Sequence, residues 1–429
     1  MSGNRVAVNK RVFVVAAVAV AMALLINACG GGGSSSSATD NLPIAFAVVG
    51  QSDFNTSEPN ANQATTNAQG LAVPQGGIAT NGTLFYVPDN FNNRILVWNG
   101  IPPNGATPAN FALGQPNLTS RTPGTTGTSF SAPTSAQIAD NGTGTKLVVA
   151  DSANNRVLIW NTLPTSNVAP DVVVGQASLT TANPGLSQSG LTRPVYAAIA
   201  NNKLFVVDTD NSRVLIWNAV PTTNNAPADV VLGQGNNASS FTSNTQAKDP
   251  SSGLITTAGQ SGFTQPGGLW TDGIRLLVAD TGDNRVLFWT KIPTVNGTLA
   301  TDVIGQADFT RGVSGSSGTQ LNAPFSVAVS DGGQVYIADQ LNNRVVKFAS
   351  LPVANNPTAL SAYGQGTLTN RQANDDNQDG ISDTQGGGSS GTRPRPSNRT
   401  LSSPEGVTVF NGVLYVTDTG NNRVMQYPQ

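Results

Sequence analysis

A twelve-residue motif occurs six times in the chain and constrains the fold more than any other feature. One copy is VADTGDNRVLFW, residues 278–289, in which an Asp ends one apolar run and an Arg five positions later begins the next. Apolar runs rich in Val, Ile and Leu, separated by small polar residues, predict two strands joined by a tight turn. The six pairs are Asp89 and Arg94, Asp151 and Arg156, Asp208 and Arg213, Asp280 and Arg285, Asp339 and Arg344, and Asp418 and Arg423.

Two further motifs recur in step with these pairs. A proline opens each unit, at Pro74, Pro133, Pro194, Pro266, Pro324 and Pro404. A Gly-Gln dipeptide recurs at residues 50–51, 114–115, 175–176, 233–234, 305–306 and 364–365. The fourth unit then contains four short strands, within residues 266–273, 275–280, 284–290 and 301–306. Six such units predict an all-β fold, a six-bladed β-propeller of four-stranded antiparallel blades.

The order of the motifs predicts how the propeller closes. The first Gly-Gln precedes the first Asp–Arg pair, whereas no Gly-Gln follows the last pair. The last blade therefore lacks a fourth strand, and residues 44–51 form a spare one. We predict that this N-terminal strand completes the C-terminal blade, which removes two open sheet edges.

The units resemble NHL repeats. The resemblance lies in PEGVTV at residues 404–409, in the strands of the form L-[FY]-V-x-D, and in the N-N-R-V segments. It extends over residues 44–429. It implies a propeller that acts as a binding platform. The blades are longer than the usual NHL unit, and the opening strands PTSAQI and PVYAAI depart from the pattern.

The Asp–Arg pairs have a structural and a functional interpretation. In the first, Asp caps the N–H groups of the turn and Arg contacts the same carboxylate or the carbonyls of a neighbouring blade. In the second, the pairs form a ring of charges for a ligand. An aromatic position on the third strand likewise predicts either packing between blades or a sugar-stacking row; its residues are Trp98, Trp160, Trp217, Trp289, Phe348 and Tyr427.

The N-terminus predicts export and a lipid anchor. Residues 1–28 combine three basic residues with a short apolar run, as in a signal peptide, and residues 26–29 resemble a lipobox ending at Cys29. Residues 29–43 are a Gly/Ser-rich tether that precedes the propeller at 44–429. The alternative is an ordinary secretory leader with an incidental Cys29. A lipid on Cys29, followed by Gly30, predicts location at the cell envelope, in the outer membrane or on the cell surface.

Composition excludes several kinds of chemistry. The chain has no histidine, which excludes His-dependent nucleophilic catalysis and His-type zinc sites. Loss of the leader would change the net charge from −2 to −5 without leaving a basic run, which argues against nucleic acid as a partner. Glu405 and Gln75 follow strand-opening prolines and are predicted to line the central channel as ligand candidates.

One acidic segment predicts a metal-binding loop. Oxygen-bearing side chains alternate around Gly380 in DDNQDGISD, residues 375–383, and hard oxygens at this spacing converge on calcium in related loops. The predicted ligands are Asp375, Asn377, Asp379 and Asp383. The alternative is a polar insertion without metal, and no other cofactor is predicted.

The sequence predicts function less sharply than fold. The leading hypothesis is a monomeric, non-catalytic binding or scaffold propeller that recognises a protein or polysaccharide through its variable loops and contacts the membrane only through its lipid. The alternative is a hydrolase or lyase with a site at the central channel around Glu405.

Overall fold

The computed structural model describes residues 42–140, 144–234, 238–245, 260, 262–385 and 393–429. Six four-stranded antiparallel sheets, one for each repeat, confirm the predicted propeller. The predicted signal peptide, Cys29 and most of the tether lie outside the described residues. Within the described part of the chain, no helix is long and apolar enough to cross a membrane.

Each blade places its strands a, b, c and d in sheet order, as the repeats predict. Blade 1 contains β2 (Ala79–Thr80), β3 (Leu84–Asp89), β4 (Arg94–Asn99) and β5 (Phe111–Leu113). Blade 2 contains β6 (Pro133–Asp140), β7 (Thr145–Asp151), β8 (Arg156–Trp160) and β9 (Val172–Val174). Blade 3 contains β10 (Pro194–Ala200), β11 (Lys203–Asp208), β12 (Arg213–Trp217) and β13 (Val230–Leu232).

The remaining blades follow the same plan. Blade 4 contains β14 (Leu269–Thr271), β15 (Leu276–Asp280), β16 (Arg285–Trp289) and β17 (Asp302–Ile304). Blade 5 contains β18 (Pro324–Val329), β19 (Val335–Asp339), β20 (Arg344–Phe348) and β21 (Ser361–Tyr363). A two-stranded sheet, β22 (Thr384–Gln385) and β23 (Arg393–Pro394), precedes β24 (Pro404–Phe410), β25 (Val413–Asp418) and β26 (Arg423–Pro428) of blade 6.

The fourth strand of blade 6 comes from the other end of the chain. Strand β1 (Ala47–Val49) pairs antiparallel with β26, with Val48 opposite Met425. The predicted closure is therefore confirmed. Because this pairing joins residues nearly 400 positions apart, it ties the two ends of the ring together.

Helical segments are short. A 3-10 turn joins strands b and c in every blade, at Asn90–Asn92, Ser152–Asn154, Thr209–Asn211, Thr281–Asp283, Gln340–Asn342 and Thr419–Asn421. A further 3-10 segment spans Ala238–Thr242, and the helical turn α1 spans Pro59–Asn62 with left-handed φ values at Asn60 and Ala61.

The hydrophobic core lies between blades. Six clusters of buried residues each combine side chains from two neighbouring blades. The strand-c aromatics belong to these clusters, so packing between blades is confirmed for that position. Trp98, Trp217 and Trp289 also donate their indole N–H groups, each to a carbonyl in the following c–d loop, at 3.0 Å.

The strand order divides the connections between two faces. The b–c turns and the d–a connections, which join strand d of one blade to strand a of the next, share one face, here called the motif face. The d–a connections are residues 50–78, 114–132, 175–193, 233–268, 305–323 and 364–403. The a–b turns and c–d loops lie on the opposite face. The variable segments are therefore gathered around the six Asp–Arg pairs.

Candidate functional site

The six Asp–Arg pairs are buried ion pairs. The two residues face each other across the b–c turn, because Asp ends strand b and Arg begins strand c in register. Arg Nε lies 2.7–2.8 Å from Asp Oδ2 in every blade, and both side chains are fully buried. A charge ring open to a ligand needs solvent access, and this arrangement lacks it.

The Asp carboxylates do not cap their own turns, so that part of the structural prediction is wrong. No side-chain cap joins Asp208 to the 3-10 turn that follows it. Its Oδ1 accepts the backbone N–H of Thr192 at 2.7 Å, in the preceding d–a connection. The same bond recurs in all six blades. The carboxylate thus holds a long-range connection rather than a local turn.

The guanidinium groups hold the d–a connections on both sides. Nη1 of Arg213 donates to the carbonyl of Phe241 at 2.6 Å, in the connection that leaves blade 3. Its Nη2 donates to Ser187 at 3.0 Å and to Gly190 at 2.8 Å, in the connection that enters the blade. Arg156 and Arg423 make equivalent bonds. Each motif Arg therefore fixes two successive loops of the motif face.

In five blades the residue before the motif Arg is an inter-blade clip that sequence reasoning missed. Asn155 adopts a left-handed φ of 53° and its Oδ1 accepts the N–H of Arg193, which precedes the opening proline of the next blade. Asn93, Asn284, Asn343 and Asn422 make the same contact. The residues whose N–H groups they bind have left-handed φ values of 46–51°, an uncommon conformation outside glycine. The repeated Asn was the available signal.

The Gly-Gln motif fixes the start of each d–a connection. Its glycines have φ values from 84° to 93°, which favour a residue without a Cβ atom. Gln176 Nε2 donates to the carbonyl of Asn155 at 3.0 Å and to that of Asn183 at 2.7 Å. The glutamines of the other five units bond in the same way. This motif is structural.

Glu405 is buried at the motif-face end of the channel. Gln340 Nε2 donates to its Oε1 at 2.9 Å, and its Oε2 has no hydrogen-bond partner. Burial raises the pKa of the Glu405 carboxyl to about 7, and the amides of Gln75 and Gln340 partly offset that rise. The two residues predicted as ligand candidates, Glu405 and Gln75, thus lie together. In the part of the chain that the structure describes, no group of three or more acidic or Cys side chains is placed to hold a metal.

The side chain of Tyr196 extends from β10 across the channel. This side chain contacts Gly77 and Gly268, which precede strands β2 and β14. A Cβ atom added at Gly77 would lie 3.2 Å from the Tyr196 hydroxyl, and one added at Gly268 would lie 3.3 Å from the Tyr196 ring. On the opposite-face side of this ring is a well of about 540 Å³, lined by Trp270, Phe410 and other strand-a residues. Glu405 and Gln75 do not line it. The glycines at 77 and 268 were the sequence signal for this crossing.

The acidic loop bonds to its own backbone. Both carboxylate oxygens of Asp375 accept loop N–H groups, from Asp379 at 3.1 Å and Gly380 at 2.9 Å. Asp383 accepts the N–H of Asp376, and Asn377 donates to Asp379 at 3.2 Å. The loop is therefore organised by Asx-type contacts. Calcium binding there stays a prediction.

Comparison with known proteins is informative for one blade. The NHL-repeat family model matches residues 401–427. This segment contains β24, β25 and β26 of blade 6 with the ion pair of Asp418 and Arg423. The other five blades repeat that ion pair and its geometry.

Comparisons of the whole chain are weaker. No curated protein matches the sequence. Virginiamycin B lyase from Staphylococcus aureus is 10% identical, with 87% of this chain and 97% of that chain covered, at a TM-score of 0.41. A streptogramin B lyase structure is also 10% identical, with 87% and 95% covered, at a TM-score of 0.42. These values carry no conclusion about activity.

Proposed function

We propose that this protein is a non-catalytic binding propeller, held at the cell envelope by a lipid on Cys29, that recognises a protein or a polysaccharide through its d–a connections. The observation that carries the proposal is the use of every motif Arg to fix two successive d–a connections. Variable loops on a rigid scaffold are where recognition sites usually lie. The six Asp–Arg pairs are fully buried and hydrogen-bonded within this framework, so their charged groups are not open to a substrate.

The motif face also offers contact groups. Phe91 and Leu341 occupy the same position of the 3-10 turn in blades 1 and 5, with side chains 62% and 55% exposed. The other blades have small or polar residues there: Ala153, Asp210, Gly282 and Gly420. Aromatic side chains such as Phe are enriched in the cores of protein interfaces. Phe91 and Leu341 are the first residues to test.

The test is a pull-down with the chain from Asp40 onward as bait, against solubilised envelope proteins and cell-surface polysaccharides. Phe91→Ser combined with Leu341→Ser removes apolar groups from the motif face. Ile274→Ser combined with Val353→Ser is the matched control, because these exposed residues lie on the opposite face. We expect the first variant to lose a saturable partner that the control retains. Equal retention by both variants contradicts recognition through this face.

Calcium dependence is tested in the same experiment. The pull-down is repeated with calcium and with a chelator, and Asp375→Asn with Asp383→Asn removes two predicted ligands. Binding that requires calcium in the parent chain and is lost in the variant even when calcium is present supports a metal at this loop. Identical binding under both conditions contradicts a role for calcium in recognition.

The competing function is a hydrolase or lyase that acts at the channel. It is favoured by the raised pKa of Glu405, which suits a general acid or base near neutral pH. It is opposed by the neighbours of Glu405, which are the neutral amides of Gln75 and Gln340. It is also opposed by the well, whose lining includes Tyr196 but neither Glu405 nor Gln75. Any activity found by screening is assigned to this site only if Glu405→Gln abolishes it while the fold is retained.

A further inference from the structure

One position of the b–c turn breaks the repeat in blade 4 alone. The last residue of the 3-10 turn is Asn in the other five blades, and its Nδ2 donates to Oδ2 of the motif Asp at 2.8–2.9 Å. These residues are Asn92, Asn154, Asn211, Asn342 and Asn421. Blade 4 has Asp283 at this position. An ionised carboxylate has no hydrogen to donate, so the bond made in five blades requires a proton in the sixth.

Asp283 has few hydrogen-bond partners for a buried carboxylate. Its side chain is fully buried, its Oδ1 has no hydrogen-bond partner, and its Oδ2 is 3.4 Å from Arg285 Nη2. Asp280 is better satisfied: Oδ2 is 2.8 Å from Arg285 Nε, and Oδ1 accepts the N–H of Thr264 at 2.8 Å. Two buried carboxyls thus share one guanidinium.

The described surroundings supply no second positive charge. The charged groups that act on Asp280 are Asp283, which follows it in the same turn, and Arg285 on β16. The preceding d–a connection contributes the backbone of Thr264 and Gly262, and the following one contributes the carbonyl of Phe309. Burial and the neighbouring Asp283 carboxylate raise the pKa of Asp280 well above its ordinary value, against the opposing effect of Arg285. Close carboxyls of this kind titrate as a pair.

We propose that Asp280 and Asp283 hold one proton between them beside Arg285, and that this proton makes blade 4 a pH-sensitive lock on Gly262 and Thr264, at the end of the preceding d–a connection. With this proton, one carboxyl of the pair can donate to the other, as Asn donates to the motif Asp in the other blades. Loss of the proton leaves two buried negative charges against one positive charge. The hydrogen bond from the Thr264 N–H to Asp280 and the one from Arg285 to the Gly262 carbonyl then open more often.

The sign of the pH effect follows from the raised pKa. The folded state binds a proton that the unfolded chain releases near the ordinary pKa of Asp, 3.8. The resulting stabilisation is fully present below that pH. It is lost as pH rises toward the pKa of the folded pair, and it is absent above it. The lock therefore holds in acid and loosens as pH rises.

The test compares the full chain with Asp283→Asn. The matched control is Asp210→Asn, which makes the same substitution in the blade 3 turn at an exposed residue paired with Arg193. Thermal unfolding is followed from acid to alkaline pH. We expect the unfolding equilibrium constant of the parent chain to rise by up to about tenfold per pH unit relative to Asp283→Asn within the titration window. The control should keep the parent profile.

A second measurement is independent of unfolding. Infrared spectroscopy detects the carbonyl band of a protonated, buried carboxylic acid, and hydrogen exchange reports the Thr264 amide. Glu405 is itself partly protonated near neutral pH, so the spectra are recorded with Glu405→Gln as the common background. We expect such a band at neutral pH in that background and after Asp210→Asn, but not after Asp283→Asn. In the parent chain, we expect Thr264 exchange to accelerate with pH by more than the intrinsic rate change. Parallel stability profiles for the parent and Asp283→Asn, or a band that survives this substitution, would overturn the proposal.

Discussion

Blades 4 and 5 build the same turn with the same ion pair, yet differ in one side chain that decides its charge balance. In blade 5, Asn342 Nδ2 donates to Asp339 at 2.8 Å, also donates to the carbonyl of Gly315, and leaves one carboxylate beside one guanidinium. In blade 4, Asp283 occupies the Asn position without that amide donor and adds a second carboxyl 3.4 Å from Arg285 Nη2, while the Oδ1 atoms of Asp283 and Asn342 are both unpartnered. Backbone geometry is thus set by the repeat, whereas electrostatic stability depends on a single amide.

The largest expected effect comes from removing the guanidinium from both turns. Arg344→Met leaves one buried carboxylate unpaired and should cost about 3–5 kcal/mol of unfolding free energy. Arg285→Met leaves two carboxyls and should cost more at pH 8. Chemical denaturation of the two variants measures the difference. A blade 4 variant that is no less stable than the blade 5 variant would contradict a charge imbalance in blade 4.

A smaller effect is expected when the blade 4 arrangement is installed in blade 5. Asn342→Asp removes the donor to Asp339 and should cost about 1–3 kcal/mol at pH 8. The loss should shrink toward pH 4, because the introduced carboxyl can donate again once it is protonated. Denaturation at both pH values tests this, with Asn343→Asp as a neighbouring control. A pH-independent loss would show that shape, not protonation, distinguishes Asp from Asn here.

The smallest expected effect concerns the other irregular turn. Blade 3 has Ser212 where five blades have the clip Asn, and Ser212 Oγ is buried without a partner. The φ of Ser212 is 51°, a conformation that Asn adopts readily. Ser212→Asn should therefore add the missing clip and stabilise the chain by roughly 0.5–1.5 kcal/mol. A decrease in the thermal midpoint would mean that blade 3 has no room for the amide.

The overall architecture was predictable from local patterns. The four strands of each blade, the blade count and the closure of blade 6 by β1 all follow from repeated apolar runs and from the order of the Gly-Gln and Asp–Arg motifs. Repetition supplies six examples of each element, so irregular copies do not obscure the pattern. The strands PTSAQI and PVYAAI, irregular as sequence, fall within β6 and β10, strands of eight and seven residues.

The contact of each motif Arg with the carboxylate of its Asp was predicted, but the specific loop partners of these side chains were not. The sequence predicts that Asp208 caps its own turn, but Asp208 binds Thr192, and Arg213 reaches Phe241 and Ser187. Tyr196 crosses the channel to Gly77 in another blade. These partners are distant in the chain, and nothing in the local sequence identifies them.

The sequence by itself therefore determined the strands, the blades and the ring, because alternating apolar residues and turn residues act over a few positions. The tertiary structure alone decided which buried polar groups meet. It placed Thr264 beside Asp280 and Gly262 beside Arg285, and Glu405 beside Gln75 and Gln340. The physical reason is that burial removes water as a partner, so the fate of each charge depends on neighbours that only the closed ring brings together.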